Sequence, residues 1–542
     1  MTKAQAAALR APRTPLGEDT SLTEAHHELT DDDHKKAWGQ FFTSPTIASF
    51  MVSLFRAPTR DPVRVLDAGA GTGVLGLTAA ERLITSHRRR VHLTAVEKEP
   101  GALVALRKAA TAARARLGTD WLDVEIVDDD FLDLDRPRLG SATLADFDYA
   151  IANPPYFKMS PTDDRGGAAP NAYARFMEVA ARMLRENGEL CFIIPRSFAA
   201  GFYFRQFRRR FHHLMRLDHV HVFESRSDAF RDDGVLQENI IVLYRRTRST
   251  AASIRISSSA GETDLDSRTT HSVARSRVLD PEDADSILFL PTGADDLRVM
   301  DVFANWRDSL HSYGLDVSTG PVVPFRAEEY LRTSRSRTTA PMLWLQHVLP
   351  GRIEWPLVGG FRKPEHIEAG APAKLLVKNR TYVLLRRFSA KEDERRLVAA
   401  PYVRDSIPGT VLGLENHLNF IHCKAGDLEP KLAAALATML NSSLFDAYFR
   451  LSNGNTQVSA TELRALPLPP VKSLDALARR LESGETADRA VSEVFGKRKS
   501  GSASFPTTSC TTTATNSSGR AADSANHEGR ASRVAAPMLL PW

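Results

Sequence analysis

The sequence predicts an α/β unit built on a mostly parallel sheet, followed by a second, less regular α+β domain. Three observations predict it. Short Val/Ile/Leu-rich runs alternate with helical stretches from Lys35 to about Arg248, a glycine-rich turn follows the first clear run, and the alternation then gives way to mixed short strands and Pro/Gly turns. Strands buried on both faces read as continuous apolar runs, because crossover helices cover the sheet on each side.

Taken in order, residues 1–33 are polar and Ala-rich without sustained periodicity, and they read as a flexible N-terminal arm. Over 34–248 the strand candidates are Val63 to Asp67, Val91 to Glu97, Val124 to Asp128, Asp148 to Asn153 and Glu189 to Ile194. Two further runs, His219 to Phe223 and Glu238 to Tyr244, have a short separation that suits an antiparallel pair at one edge. The Ser/Arg/Thr-rich stretch from Thr247 to Ser272 places a connector over 249–279. Residues 280–470 form the second domain, with one clear amphipathic helix around Pro430 to Leu440, and 471–496 form a C-terminal helix. The tail, 497–542, is too polar and low in complexity to repay its ordering entropy, and disorder is expected there.

A chain of 542 residues is long enough for two or three compact units. With 42% hydrophobic and 25% charged residues, it contains no apolar run able to cross a bilayer, so no membrane role is expected. The N-terminal stretch lacks the apolar core of a secretory signal, and Cys191, Cys423 and Cys510 have neither metal-ligand nor disulfide spacing. A cytoplasmic protein without a metal site is the expectation. The net charge of +5 is compatible with a polyanionic partner but decides nothing by itself.

The chemistry concentrates at the ends of the apolar runs. VRVLDAGAGTG places Asp67 at a strand end and Gly69, Gly71 and Gly73 before a helix starting near Val74. Glycines there let the backbone turn tightly and let a ligand approach closely. The next run ends in Glu97, where an acidic group accepts hydrogen bonds from ribose hydroxyls, which narrows the ligand to a nucleoside. No Lys-Ser/Thr pair follows the glycines, which disfavours a phosphate-cradling loop. The third run leads into Asp130 and Phe131, a carboxylate suited to an adenine amine beside a ring suited to its face. The bland reading of Asp130 is a solvated acidic loop.

The fourth run ends in Asn153-Pro154-Pro155-Tyr156, the most specific signal in the chain. Consecutive prolines fix the backbone, remove two donors and leave the Pro154 carbonyl free to accept. With the amide oxygen of Asn153, that carbonyl takes both hydrogens of a planar exocyclic amine. The nitrogen is drawn toward tetrahedral geometry and its lone pair is freed for attack on a methyl group. Tyr156 offers a π face to a base rotated out of a duplex. The structural alternative is a rigid strand-end turn with a core tyrosine.

Together these residues resemble the amino-methylating DNA methyltransferases, specifically the N6-adenine group of gamma-type motif order. The resemblance implies a Rossmann-like sheet binding S-adenosylmethionine (SAM) and a C-terminal α+β target-recognition domain. In GQFFTSPTIASFM it puts Phe42, Thr43 and Pro45 on the cofactor side, although a helix start capped by Ser44 with Pro45 in its first turn explains the same residues. It assigns Asp67, Gly69, Gly71 and Gly73 to the methionine turn, Glu97 to ribose, and Asp130 with Phe131 to adenine. The segment AFRDDGVLQENIIVLY resembles the family's loop holding the flipped base, which points to Phe230. Two later segments, NRTYVLLRRFSAKEDERRLVAAPYV and SNGNTQVSATELRALPLPP, are similar to modification enzymes paired with the XhoI-, PaeR7I- and PstI-type nucleases. No nuclease-like extension precedes Gly39, which disfavours a fused restriction enzyme. The implied partners are double-stranded DNA with a specific short site and, functionally, a restriction endonuclease that need not make physical contact. Lys378 and Arg380, with Lys374, Arg386 and Arg387, are candidates for DNA contact. The same turn also serves RNA adenine and protein-glutamine methylation, in proteins that are generally small, so the second domain favours a DNA site.

Overall fold

The computed structural model describes residues 43–135, 146–159, 171–224, 238–280, 283, 285–389, 394–452 and 457–496. The arm expected over 1–33 and the tail over 497–542 lie outside the described residues. The first half is a nine-stranded sheet of β1 (Val63–Ala68), β2 (Val91–Glu97), β3 (Leu122–Asp128), β4 (Phe147–Ala152), β5 (Leu184–Pro195), β6 (Arg216–Phe223), β7 (Asn239–Arg245), β8 (Ser253–Ser259) and β9 (Thr269–Ala274). Its order is β3-β2-β1-β4-β5-β7-β6-β8-β9. The first five strands pair in parallel, and β7 runs antiparallel to both β5 and β6.

Period-2 alternation of apolar side chains divides the core into two layers. Leu66, Ala68, Leu190, Phe192 and Ile194 face one layer, and Val63, Val65, Cys191 and Ile193 face the other. The longer helices are α1 (Pro45–Ser53), α2 (Val74–Thr85), α3 (Pro100–Leu117), α4 (Ala172–Met183) and α5 (Arg205–Leu214). Helices α4 and α5 cover the first layer, and α1, α2 and α3 cover the second. Strand order reverses between β1 and β4, so their carboxyl ends flank the crevice where open α/β sheets receive ligands.

Three expectations are corrected. The pair β6–β7 is not at the edge: β8 pairs in parallel with β6, and β9 closes the sheet. The stretch read as a connector thus holds two strands. Its serines misled because their hydroxyls are buried with partners: Ser257 Oγ lies 2.8 Å from His219 Nε2 and 2.9 Å from His221 Nδ1. Burial pulls both imidazoles down to about 3, so they act as neutral hydrogen-bonding groups. Finally, 471–496 is two helices, Val471–Glu482 and Ala487–Phe495, separated at Gly484, whose φ is +83°.

The second half holds a four-stranded antiparallel sheet, ordered Leu315–Thr319, Leu418–Cys423, Tyr382–Arg386 and Ala399–Tyr402, and a mixed five-stranded sheet. The helix Pro430–Leu440 lies against Ala399–Tyr402. Just past its end, Asn441 exchanges two bonds with the Ala399 backbone, at 2.8 and 2.7 Å. Arg208 of α5 pins the stretch after β9 onto this first half. This fully buried side chain donates to the carbonyls of Asp285 (2.8 Å), Ser286 (3.0 Å), Phe198 (2.9 Å) and Gly201 (2.8 Å). Burial lowers its pKa to about 10, which leaves it charged at neutral pH.

Candidate active site

At the end of β1 the chain turns through Gly69, Gly71 and Gly73, all with positive φ. Gly73, at φ +90°, starts α2, and a Cβ there would stand 2.7 Å from Leu106 Cδ1. Gly71 faces open space, with nothing within 4 Å of a Cβ position. The fully buried Asp67 accepts from Gly76 N–H at 2.7 Å through Oδ2, while its Oδ1 has no partner. Burial, reinforced by the Glu97 charge and opposed by the Gly76 bond, pushes its pKa up to about 7.

At the end of β2, Glu97 accepts from Gly71 N–H at 2.7 Å through Oε2, and from Lys98 and Glu99 N–H at 2.9 and 2.8 Å through Oε1. Backbone donors thus lock this carboxylate to the glycine turn, and Oε2, with a single donor, keeps further acceptor capacity. Asp130 is no solvated loop residue. Its Oδ1 accepts from Leu132 N–H at 3.0 Å, and its Oδ2 pairs with Lys98 Nζ at 3.0 Å. Phe131 is buried against Phe176, with ring centroids 4.9 Å apart, and Phe176 in turn packs beneath Gly69. That ring braces the floor of the turn.

At the end of β4, Pro154 is buried while Asn153 and Tyr156 are half-buried. Asn153 Nδ2 donates to Thr43 Oγ1 at 3.1 Å, and the Tyr156 hydroxyl reaches Asn153 Oδ1 at 2.8 Å and the Ile193 carbonyl at 3.2 Å. The amide is thereby oriented from both sides. Burial raises the Tyr156 phenol well above its ordinary value, so it serves as a neutral donor. Its ring meets Tyr173 edge-on at 6.1 Å, and Tyr173 stacks on Phe204 at 5.3 Å. Thr43 reaches Asn153 because Ser44 caps α1, accepting from Ile47 N–H at 3.2 Å with Pro45 in the first turn. Phe42 and Phe230 lie outside the described residues.

Residues 122–230 match the model of the Eco57I restriction-modification methylase family. The chain is 33% identical to the type II methyltransferase M.BsuBI of Bacillus subtilis over 468 residues, 82% of this chain and 90% of that one. It is 30% identical to the type II methyltransferase M.PstI of Providencia stuartii over 488 residues, 88% of this chain and 96% of that one. This chain belongs to the family of type II methyltransferases. Its fold also resembles the Type IIL restriction-modification enzyme MmeI solved in complex with DNA, with a TM-score of 0.53 and 11% identity, covering 89% of this chain and 74% of that one.

In this type II methyltransferase the basic candidates of the second half divide in two. Lys374 and Lys378 are exposed. Arg380 donates to the Gly426 carbonyl at 3.2 Å, Arg386 to Val348 at 2.7 Å and Arg387 to Asn416 at 3.0 Å, so these three brace loops of their own domain. Sequence reasoning missed three contacts: Thr43 on the Asn153 amide, the Ile193 carbonyl on Tyr156, and Lys98 on Asp130. Only the adjacency of Thr43 to a capped helix start was visible in the sequence.

Proposed function

We propose that this type II methyltransferase moves a methyl group from SAM to the exocyclic N6 amine of adenine within a short site in double-stranded DNA, as the modification partner of a restriction endonuclease. The observation that carries the reading is the Asn153 amide, held between Thr43 and Tyr156 at the switch point beside the glycine turn. Asn153 Oδ1 and the Pro154 carbonyl are acceptors for the two amine hydrogens, and accepting them leaves the nitrogen lone pair available. The stacking face of Tyr156 holds the base once it has left the duplex.

The residues present fit SAM. Asp67 Oδ1 is an orphaned buried oxygen suited to a cationic amino group, Gly71 leaves an open cradle, and Glu97 Oε2 offers acceptor capacity to a ribose hydroxyl. Asp130, sharing its carboxylate with Lys98, suits the adenine amine. When bound, SAM supplies an electrophilic methyl on a sulfonium. The second half supplies target recognition, since a flipped adenine must enter beside Asn153 while neighbouring bases are read from the groove. Lys374, Lys378 and the unused donors of Arg380 are its candidate contacts.

Asn153→Ala is the test. It abolishes methyl transfer, scored by single-molecule sequencing of DNA from an expressing host, and leaves calorimetric SAM affinity close to wild type. Near-normal turnover in this variant would remove Asn153 from the mechanism.

A further inference from the structure

Among the described residues, the exposed aromatic side chains are Phe157 (42%), Phe202 (49%), Tyr203 (81%) and Phe325 (75%). Large aromatic faces left in water are the informative exception on a surface. Three of these four are chain neighbours of residues in, or packed toward, the catalytic turn. Phe157 directly follows Tyr156, and Phe202 and Tyr203 directly precede Phe204, whose ring stacks on Tyr173 and through it meets Tyr156.

The Phe202–Tyr203 pair is displayed on a rigid support. The two residues open a single 3-10 turn, Phe202–Phe204, whose third ring points into the core. The turn is entered through Gly201, whose N–H donates to the Ser197 carbonyl at 2.8 Å and whose carbonyl accepts from Arg208 at 2.8 Å. A Cβ at Gly201 would stand 2.6 Å from the Ser197 oxygen, so the chain passes there only as glycine. Just before this segment the chain meets the second half, where Arg196 donates to the Arg450 carbonyl at 2.7 Å. Charge is present as well. The Arg205 guanidinium lies 4.8 Å over the Phe202 ring while reaching Asp285 at 3.4 Å, and Arg209 is exposed one turn further along α5.

We propose that Phe202 and Tyr203 form a stacking wedge for duplex DNA, packing on the base pair next to the target adenine while that adenine occupies the pocket at Asn153. This rests on the base-flipping reading above. The occupant is DNA because the pair is linked through Phe204 and Tyr173 to the tyrosine of the base pocket, follows a segment bonded to the second half, and is flanked by Arg205 and Arg209. Apolar side chains inserted at a base step replace the stacking lost when a base leaves. Holding them on a braced turn avoids an ordering cost on binding.

The test uses full-length enzyme, saturating SAM and two duplexes carrying its own modification site, one fully paired and one with the target adenine mismatched. Phe202→Ala/Tyr203→Ala lowers single-turnover methylation of the paired duplex by about tenfold or more. The deficit shrinks on the mismatched duplex, where the adenine is already unpaired, and calorimetric SAM affinity is unchanged. Tyr203→Trp keeps a stacking face and retains near-normal rates. Equal rates for the double variant and wild type on paired DNA overturn the wedge, as does an equal loss on both duplexes, and a protein partner for this surface would produce the first of these results. Should the double variant lose SAM binding, Tyr203→Ala alone decides by the same comparison, since its side chain lies outside the core. Failure of the underlying reading looks different: wild type itself then transfers no methyl to adenine in either duplex.

Discussion

Two residues behave differently from what their types suggest. From the sequence, Tyr156 contributes a face. In the fold its hydroxyl also helps orient the Asn153 amide, at 2.8 Å. Tyr156→Phe therefore costs one hydrogen bond, about 0.5–1.5 kcal/mol in the barrier, and lowers kcat by up to about tenfold. Tyr156→Ala loses in addition the stacking face, worth roughly 1–3 kcal/mol per base. Emission from 2-aminopurine at the target position separates the two, being retained by the Phe variant and reduced by the Ala variant. Equal kcat in wild type and Tyr156→Phe would show the hydroxyl to be idle. Asp67 titrates in the fold at about 7, above the unfolded carboxyl value of about 3.9, because burial penalises its charge. The fold thus binds this proton more tightly than the unfolded chain does. Its contribution to ligand-free stability is full below the unfolded value and lost as pH rises through the folded value near 7. A cationic group beside Oδ1 favours the ionised form, so SAM binding releases a proton below that pH and tightens as pH rises toward it. Calorimetry in buffers of different ionisation enthalpy measures the release, and Asp67→Asn removes it. A SAM affinity flat across that range would separate Asp67 from the cofactor.

At the scale of elements, the site is made by strand ends that helices hold still. The β1–α2 turn is tight because α3 presses on it: Leu106 leaves no room for a side chain at Gly73, whose backbone is left-handed. Gly73→Ala adds strain and a clash, lowering stability by about 1–3 kcal/mol and weakening SAM binding. Denaturant midpoints and calorimetry report both, and an unshifted midpoint would mean that the turn relaxes freely. Helix α1 matters for a different reason, since its cap at Ser44 fixes where Thr43 meets Asn153.

For the whole molecule, the boundary of the first half's core falls later than the composition suggested. Ile254, Ile256, Val273, Val278, Leu288 and Leu290 belong to the same core layer as Phe192 and Ile194. A fragment ending at Arg248 removes part of that layer and fails to fold stably. One ending at Thr292 keeps it, and is expected to retain SAM affinity while losing site-selective methylation. Comparing the two by circular dichroism, calorimetry and plasmid protection tests both halves of the statement. Site-selective methylation by the longer fragment would return recognition to the catalytic unit.

By itself the sequence determined the pieces whose cause is local. Apolar runs mark the central strands, because a strand buried on both faces must be apolar throughout. The glycine turn was legible because its left-handed geometry admits few residue types, and the fold brings Glu97 onto it. The helix Pro430–Leu440 was legible from periodicity. Tertiary structure alone decided what depends on pairing across distance. Strand β8 hides in a serine-rich stretch because His219 and His221, contributed by another strand, satisfy its buried hydroxyl at Ser257. Arg386 and Arg387 bond carbonyls of Val348 and Asn416, partners far along the chain that the sequence does not mark. Thr43 stands 110 residues from the amide it orients. A polar group's role is set by the partner that satisfies it, and where that partner is far along the chain only the fold names it.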